Sequence, residues 1–245
     1  MRSADHESRV DTALRSVASL GEPVRRTLYR YVVAQPEPVS REQAAAGVGV
    51  AHHVAKFHLD KLEHDRLLEV EYRRPAGRTG PGAGRPTKLY RRAAGDIAVS
   101  LPERRYDLAG RIMAEAIITA AKSGRPLPDA LHDAAVSNGT QLGKKAAEVA
   151  GPRPSRATVT GAICEVLDDN GYQPNASPTC ITLANCPFHS LAQEYTDLVC
   201  GINLDIVSGL LDALDETRWQ ANLDPAPGRC CVTITRPRGR QAKLS

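Results

Sequence analysis

Apolar positions recur at helical spacing through residues 21–34, GEPVRRTLYRYVVA, where Val24, Leu28, Tyr31 and Val32 share a face. Pro23 suits the first turn of that helix. The stretch QPEPVS breaks the pattern. Ser40, with Gln43 three residues on, forms a capping box for a short helix, REQAAA, that stops at Gly47-Val48-Gly49. A third helix follows, VAHHVAKFHLDKLEHDRLL. It sets Val54, His58 and Leu62 in a stripe, with Leu59 and Leu67 beside them, and leaves His52, His53, Lys56 and Lys61 on the other face. The period then changes from helical to alternating. Leu68, Val70 and Tyr72 interleave with Glu69, Glu71 and Arg73, which predicts a strand. PAGRTGPGAGRP is too rich in Gly, Pro and Arg to pack a core, and TKLYRR returns as an antiparallel strand.

Helix, helix, glycine turn, helix and basic hairpin spell a winged helix-turn-helix. The turn sets its second helix at an angle that fits a major groove. His52, His53 and Lys56 are then placed to meet base edges, with Lys61 further along the same face. The wing arginines, Arg73, Arg74, Arg78 and Arg85, suit phosphates or the minor groove. Arg25, Arg26 and Arg41 add candidate phosphate contacts. His58 lies on the apolar stripe and reads as a satisfied core histidine. The glycine pattern GVGVAH follows no strand, so it makes no dinucleotide fingerprint.

The second half begins after a linker around residues 93–103. ERRYDLAGRIMAEAIITAAKSG reads as a helix closed by Gly124, with Leu108, Ile112 and Ala116 in line. PDALHDAAVSNGTQLGKKAAEVA and SRATVTGAICEVLDDNG predict two more. YQPNAS and TCITLANC pair as a hairpin, SLAQEYTDLVCGINLDIVSGLLDALD is helical in two pieces, and TRWQANL and GRCCVTITR finish as strands around DPAPG. The chain is therefore expected to be α+β: a winged helix-turn-helix over residues 1–95, then a sensor and dimerisation domain over residues 96–245.

Charge sharpens the division. Residues 1–92 carry 17 Lys and Arg against 11 Asp and Glu, whereas the remainder is slightly acidic. From Tyr72 to Gly95 there is no acidic residue and there are seven basic ones. A basic first domain on a near-neutral chain points to a polyanion partner. No apolar run is long enough for a membrane span, and the N-terminus lacks the apolar core of a secretory signal, so a cytoplasmic protein is expected.

Six cysteines remain to be placed. In a reducing compartment they are core filler, redox sensors or metal ligands rather than disulfides. Cys186 ends a strand in NCPFH, His189 begins the next helix, and Cys200 lies on an apolar helical stripe. Cys230 and Cys231 are read as the start of a strand, so their side chains should point to opposite faces. Three thiolates from Cys186, Cys200 and one of Cys230 and Cys231 suit an iron–sulfur cluster or zinc; with His189 they make a Cys3His zinc set. Packing as small apolar groups is the alternative for the same thiols. Cys186 as nucleophile with His189 as base lacks an orienting acid or amide, so no enzyme is expected.

The stretches LGEPVRRTLYRYV, AKFHLDKLEHDRLLEVEYRR and GRPTKLYRR resemble the ArsR/DeoR-type winged-helix regulators of bacteria. GRPTKLY after a long wing loop, with NCPFHSLA, LVCGINL and GRCCVTI, resembles their SufR-like, iron–sulfur-responsive branch. The resemblance runs from about Leu20 to Arg236. DNA half-sites usually come in pairs, so a homodimer on a palindromic DNA operator is expected. The resemblance implies a cluster, of the 4Fe–4S type, on cysteines matching Cys186 and Cys200. The branch usually has a further cysteine where this chain has Gln173; the Cys230/Cys231 pair is then expected to supply the missing ligand.

Overall fold

The computed structural model describes residues 4–73, 86–215 and 218–236. Two compact units divide the chain, one spanning residues 5–99 and one built from residue 100 onward.

The first unit contains α1 (Ala4–Ser19), α2 (Pro23–Val33), α3 (Arg41–Val48) and α4 (His52–His64), and a sheet of β1 (Val39–Ser40), β2 (Leu68–Arg73) and β3 (Thr87–Arg92) in the order β1-β3-β2. Local chemistry sets the boundaries. Glu22 caps α2, accepting from the backbone N–H groups of Val24 and Arg25, and Pro23 takes the first turn. The capping box on α3 is present in both directions: Gln43 N–H donates to Ser40 Oγ, and Ser40 N–H donates to Gln43 Oε1. Gly49 ends α3 with a left-handed φ of 75°, a conformation cheap only for glycine. The helices close over Leu28, Val32, Ala44, Leu59, Leu62 and Tyr90.

Three details differ from the sequence expectation. The core face of α4 is Ala55, Leu59 and Leu62, while Val54 and His58 are half-buried at its edge. Residues 4–19, too polar to announce a buried stripe, form α1; Ser16 Oγ on that helix donates to the Asp65 carbonyl at the end of α4. The last two residues of QPEPVS form β1, paired to Leu89 and Tyr90 of β3.

The second unit is a mixed helix and sheet assembly: α5 (Tyr106–Ser123), α6 (Leu127–Ala150), α7 (Arg156–Asp169), α8 (His189–Glu194) and α9 (Thr196–Ala213), with the antiparallel sheet β4-β5-β7-β6 formed by Pro174–Ala176, Cys180–Leu183, Val232–Thr235 and Gln220–Leu223. Its centre is the crossing of α6 and α9, where glycines replace side chains. A Cβ on Gly139 would overlap the Ile206 carbonyl oxygen, and one on Gly209 would lie 2.5 Å from the Val136 carbonyl oxygen. Gly143 meets Leu210 in the same way, so the two backbones touch along the crossing.

Candidate functional site

Helix α4 is the second helix of the helix-turn-helix and presents an outward face. His52, His53, Lys56 and Phe57 are exposed on its first half. His52 Nε2 lies 3.0 Å from Glu42 Oε1 on α3, a pairing that ties the two helices of the motif across the turn. His53 and Lys56 are exposed and are the best-placed polar side chains on this helix to meet a ligand.

The other basic candidates have internal partners. Arg25 donates to Ser19 through its carbonyl and hydroxyl, and Arg26 donates to the Leu20 carbonyl, so this pair closes the end of α1. Lys61 pairs with Asp65 at 2.8 Å. Arg73 pairs with Glu71 and Glu37. Arg41 donates to Asp60 and to the Tyr90 hydroxyl. Arg74, Arg78 and Arg85, on the tip of the expected wing, lie outside the described residues.

Asp60 is the hub that orients α4. Its Oδ1 accepts from Tyr90 Oη at 2.6 Å, Lys88 Nζ at 2.9 Å and Arg41 Nη2 at 2.8 Å. Lys88 also bonds Glu63, one turn along α4. Partial burial works to raise the Asp60 pKa, but the three donors overcome it and hold the carboxyl down at about 2. Tyr90, wholly buried, is pushed up to about 12 by that burial and by the carboxylate it donates to. Sequence reasoning missed the hub. Asp60 lies off the apolar stripe, and only the β3 register brings Lys88 and Tyr90 beneath it.

Residues 20–71 match the model of a helix-turn-helix domain family. That span runs from just before α2 into β2, so it contains the motif and most of the first strand of the hairpin. The domain suggests DNA-binding transcription regulation rather than enzymatic work. No curated protein and no solved structure matches the chain. No helix among the described residues is long and apolar enough to cross a membrane.

In the second unit four cysteines are neighbours in pairs: Cys186 lies beside Cys230, Cys230 beside Cys231, and Cys231 beside Cys200. Strand β7 begins at Val232; just ahead of it Cys230 is buried and Cys231 half-buried, the Cys230 N–H donating to the Leu183 carbonyl and the Cys231 carbonyl accepting from the Asp224 N–H. The contacts run pairwise along a chain of sulfurs. Among the described residues, no three His, Cys, Asp or Glu side chains converge on one point suited to a metal ion. His189 opens α8 as an exposed residue, donating its backbone N–H to the Cys186 carbonyl. Gln173, where the family resemblance expects a cysteine, is exposed with a left-handed φ of 52°.

Two supports hold the thiols, and the sequence reading had missed both. Asn203, fully buried on α9, donates Nδ2–H to Cys230 Sγ at 3.0 Å and accepts from the Tyr172 hydroxyl at 2.7 Å. An asparagine inside the apolar run CGINLDIV, three residues after Cys200, was the available signal. Arg104 donates to Asn185 Oδ1 and to the Cys186 carbonyl, and Asn185 Nδ2 donates to the carbonyls of Glu103 and Gly171. The backbone N–H of Arg105 adds a bond to the Pro187 carbonyl. The Cys186 loop is thereby stitched to the residues that lead into α5.

Cys186 and Cys230 are held protonated. The bond to Cys230, then burial, raises the Cys186 pKa far above its ordinary value. Cys230 is lowered by its bond to Cys186, but Cys231 and burial push it up to about 11. Thiolate is the reactive form, so these sulfurs should be sluggish nucleophiles. In native protein freed of metal by chelation at pH 7.5, iodoacetamide should label Cys186 and Cys230 on the order of a hundredfold more slowly than in urea, followed by peptide mass spectrometry. Equal rates in the two states would show that the packing does not protect them.

A cavity of about 470 Å³ opens elsewhere in the same unit, lined by Ala147, Ala150, Pro154, Val159 and Leu214, with Asp215 and Arg218. Its lining includes none of the cysteines.

Proposed function

We propose that this protein is a cytoplasmic transcriptional regulator that binds a palindromic DNA operator as a homodimer. In this reading its operator affinity is set by an iron–sulfur cluster of the 4Fe–4S type, as in the SufR-like branch it resembles. The observation that carries the DNA half is the exposed face of α4 on a matched helix-turn-helix domain. His53 and Lys56 meet base edges and phosphates there. Arg25, Arg26 and Arg41 serve the domain's own packing, and the Asp60 hub fixes the angle at which α4 is presented.

The cluster half rests on the donor chemistry of Cys186, Cys200, Cys230 and Cys231. Four neighbouring sulfurs in an apolar setting, with Asn203 donating to one of them, suit a soft metal. A bound cluster would supply a link among these thiols that oxidants or iron loss can break. The thiols would hold it, Asn203 would orient Cys230, and Arg104 would tie the Cys186 loop to the start of α5. The cavity between Ala147, Val159 and Leu214 favours a second reading, in which a small organic effector acts in place of a cluster.

Anaerobic purification with iron, acid-labile sulfide and zinc measured tests the cluster, with Cys186→Ser beside the parent. Iron and sulfide present in the parent and lost in the variant support it. Stoichiometric zinc points to a structural thiol site, and a colourless, metal-free protein removes the cluster and leaves the cavity reading. DNA binding is tested separately by recovering bound duplexes from a random library, which should fail for the His53→Ala, Lys56→Ala double variant.

A further inference from the structure

Phe57 is 65% exposed at the centre of the outward face of α4, while the other large apolar side chains of that helix, Leu59 and Leu62, are fully buried. An exposed phenyl ring does nothing for the core and costs solubility, and here it sits beside His53 and Lys56. The ring is also held. It packs edge-on against the His58 imidazole, with centroids 5.1 Å apart and planes at 72°. His58 is in turn fixed by Glu22 Oε2 and Arg25 Nε, each 3.4 Å from its Nδ1. Glu22 and Arg25, at the start of α2, therefore help to anchor an apolar group on the outward face of α4.

A major groove offers one apolar feature to such a group, the C5-methyl of thymine. We propose that Phe57 is a specificity-determining residue that reads a thymine methyl in the operator. The inference rests on the DNA-binding reading. Lys56 and His53 beside Phe57 supply phosphate and base-edge attraction; the ring supplies discrimination among sequences by burying the methyl. Phe57→Ala should therefore keep much of the affinity for nonspecific duplex and lose preference at one position per half-site.

The test uses the full chain and a duplex recovered from a random library. Each thymine is replaced in turn by deoxyuridine, which removes only the methyl, and Kd is measured at one fixed salt concentration. The parent should lose about fivefold to tenfold at one symmetric pair of thymines. Phe57→Ala should show no difference between thymine and deoxyuridine there, and Phe57→Leu should keep part of it. A methyl effect of equal size in parent and Phe57→Ala, or none at any position in the parent, would overturn the assignment while leaving DNA binding intact. Recovery of no preferred duplex at all would remove the DNA-binding reading and this inference together.

Discussion

Gly139→Ala is expected to destabilise the second unit by about 3 kcal/mol or more, despite alanine's better helix propensity of about 1 kcal/mol. The added methyl would overlap a carbonyl oxygen of α9, and backbone cannot swing aside as a side-chain tip can. Helices α6 and α9 would have to separate, opening voids around Ile206 and Leu210, both fully buried. The chain's single tryptophan, Trp219, is buried in this unit, so its fluorescence reports the unit selectively. The urea midpoint should fall by about 1.5 M for a typical slope of about 2 kcal/mol per M. Gly161→Ala is the control. Gly161 is exposed on α7 with open space where the methyl would go, and alanine there should stabilise by about 0.5–1 kcal/mol. If the two variants behaved alike, the backbone-to-backbone crossing would be wrong.

Asp60→Asn is the second large effect. The substitution keeps the shape but removes the charge that Arg41 and Lys88 share, and it weakens acceptance from the buried Tyr90 hydroxyl. Bonds to a charged acceptor stabilise by about 1.5–3 kcal/mol each, but this carboxylate is about a third exposed and screened by solvent. A total loss of about 2 kcal/mol is expected at neutral pH. The pH dependence identifies the cause. The folded carboxyl titrates at about 2, below its ordinary 3.8. Its contribution is therefore complete above about pH 4 and disappears as pH falls through 2. Thermal unfolding of parent and variant, followed by circular dichroism, should give a gap that is constant from pH 7 to 5 and closes between pH 4 and 2. A gap independent of pH would mean that Asp60 acts by shape alone.

Much of the first unit was legible in the sequence because its signals are local. Pro23, the Ser40/Gln43 box and Gly49 each act within one turn, and the change of period at Leu68 marks β2 without reference to anything distant. Helix α1 was missed since its contacts to the end of α4 run through serine hydroxyl and carbonyl groups, which leave no apolar stripe. Similar logic governs the candidate sites. His53 and Lys56 could be placed by helical spacing. The roles of Arg25 and Arg26 could not, because a guanidinium that caps a helix and one that meets a phosphate look identical in a string of letters. The thiol group was half legible. Its members could be picked out as letters, but the neighbourhood of Cys231 and Cys200 depends on how α9 and the approach to β7 come together, which no local signal carries.

The glycine crossing also limits what can move. Cys200 and Asn203 ride on a helix whose following turns are locked against α6 with no side-chain cushion between them. Sliding or rotating α9 would drive carbonyl oxygens into neighbouring backbone, so that helix acts as the fixed jaw of a vice. Cys186, Cys230 and Cys231 lie on connecting segments, where Cys230 and Cys231 are bonded through their backbones to Leu183 and Asp224. Of these, Cys186 alone is bonded, through Arg104 and Asn185, to the entry of α5. Any change in spacing among the sulfurs must therefore be taken up by the segments that carry the other three thiols, not by α9.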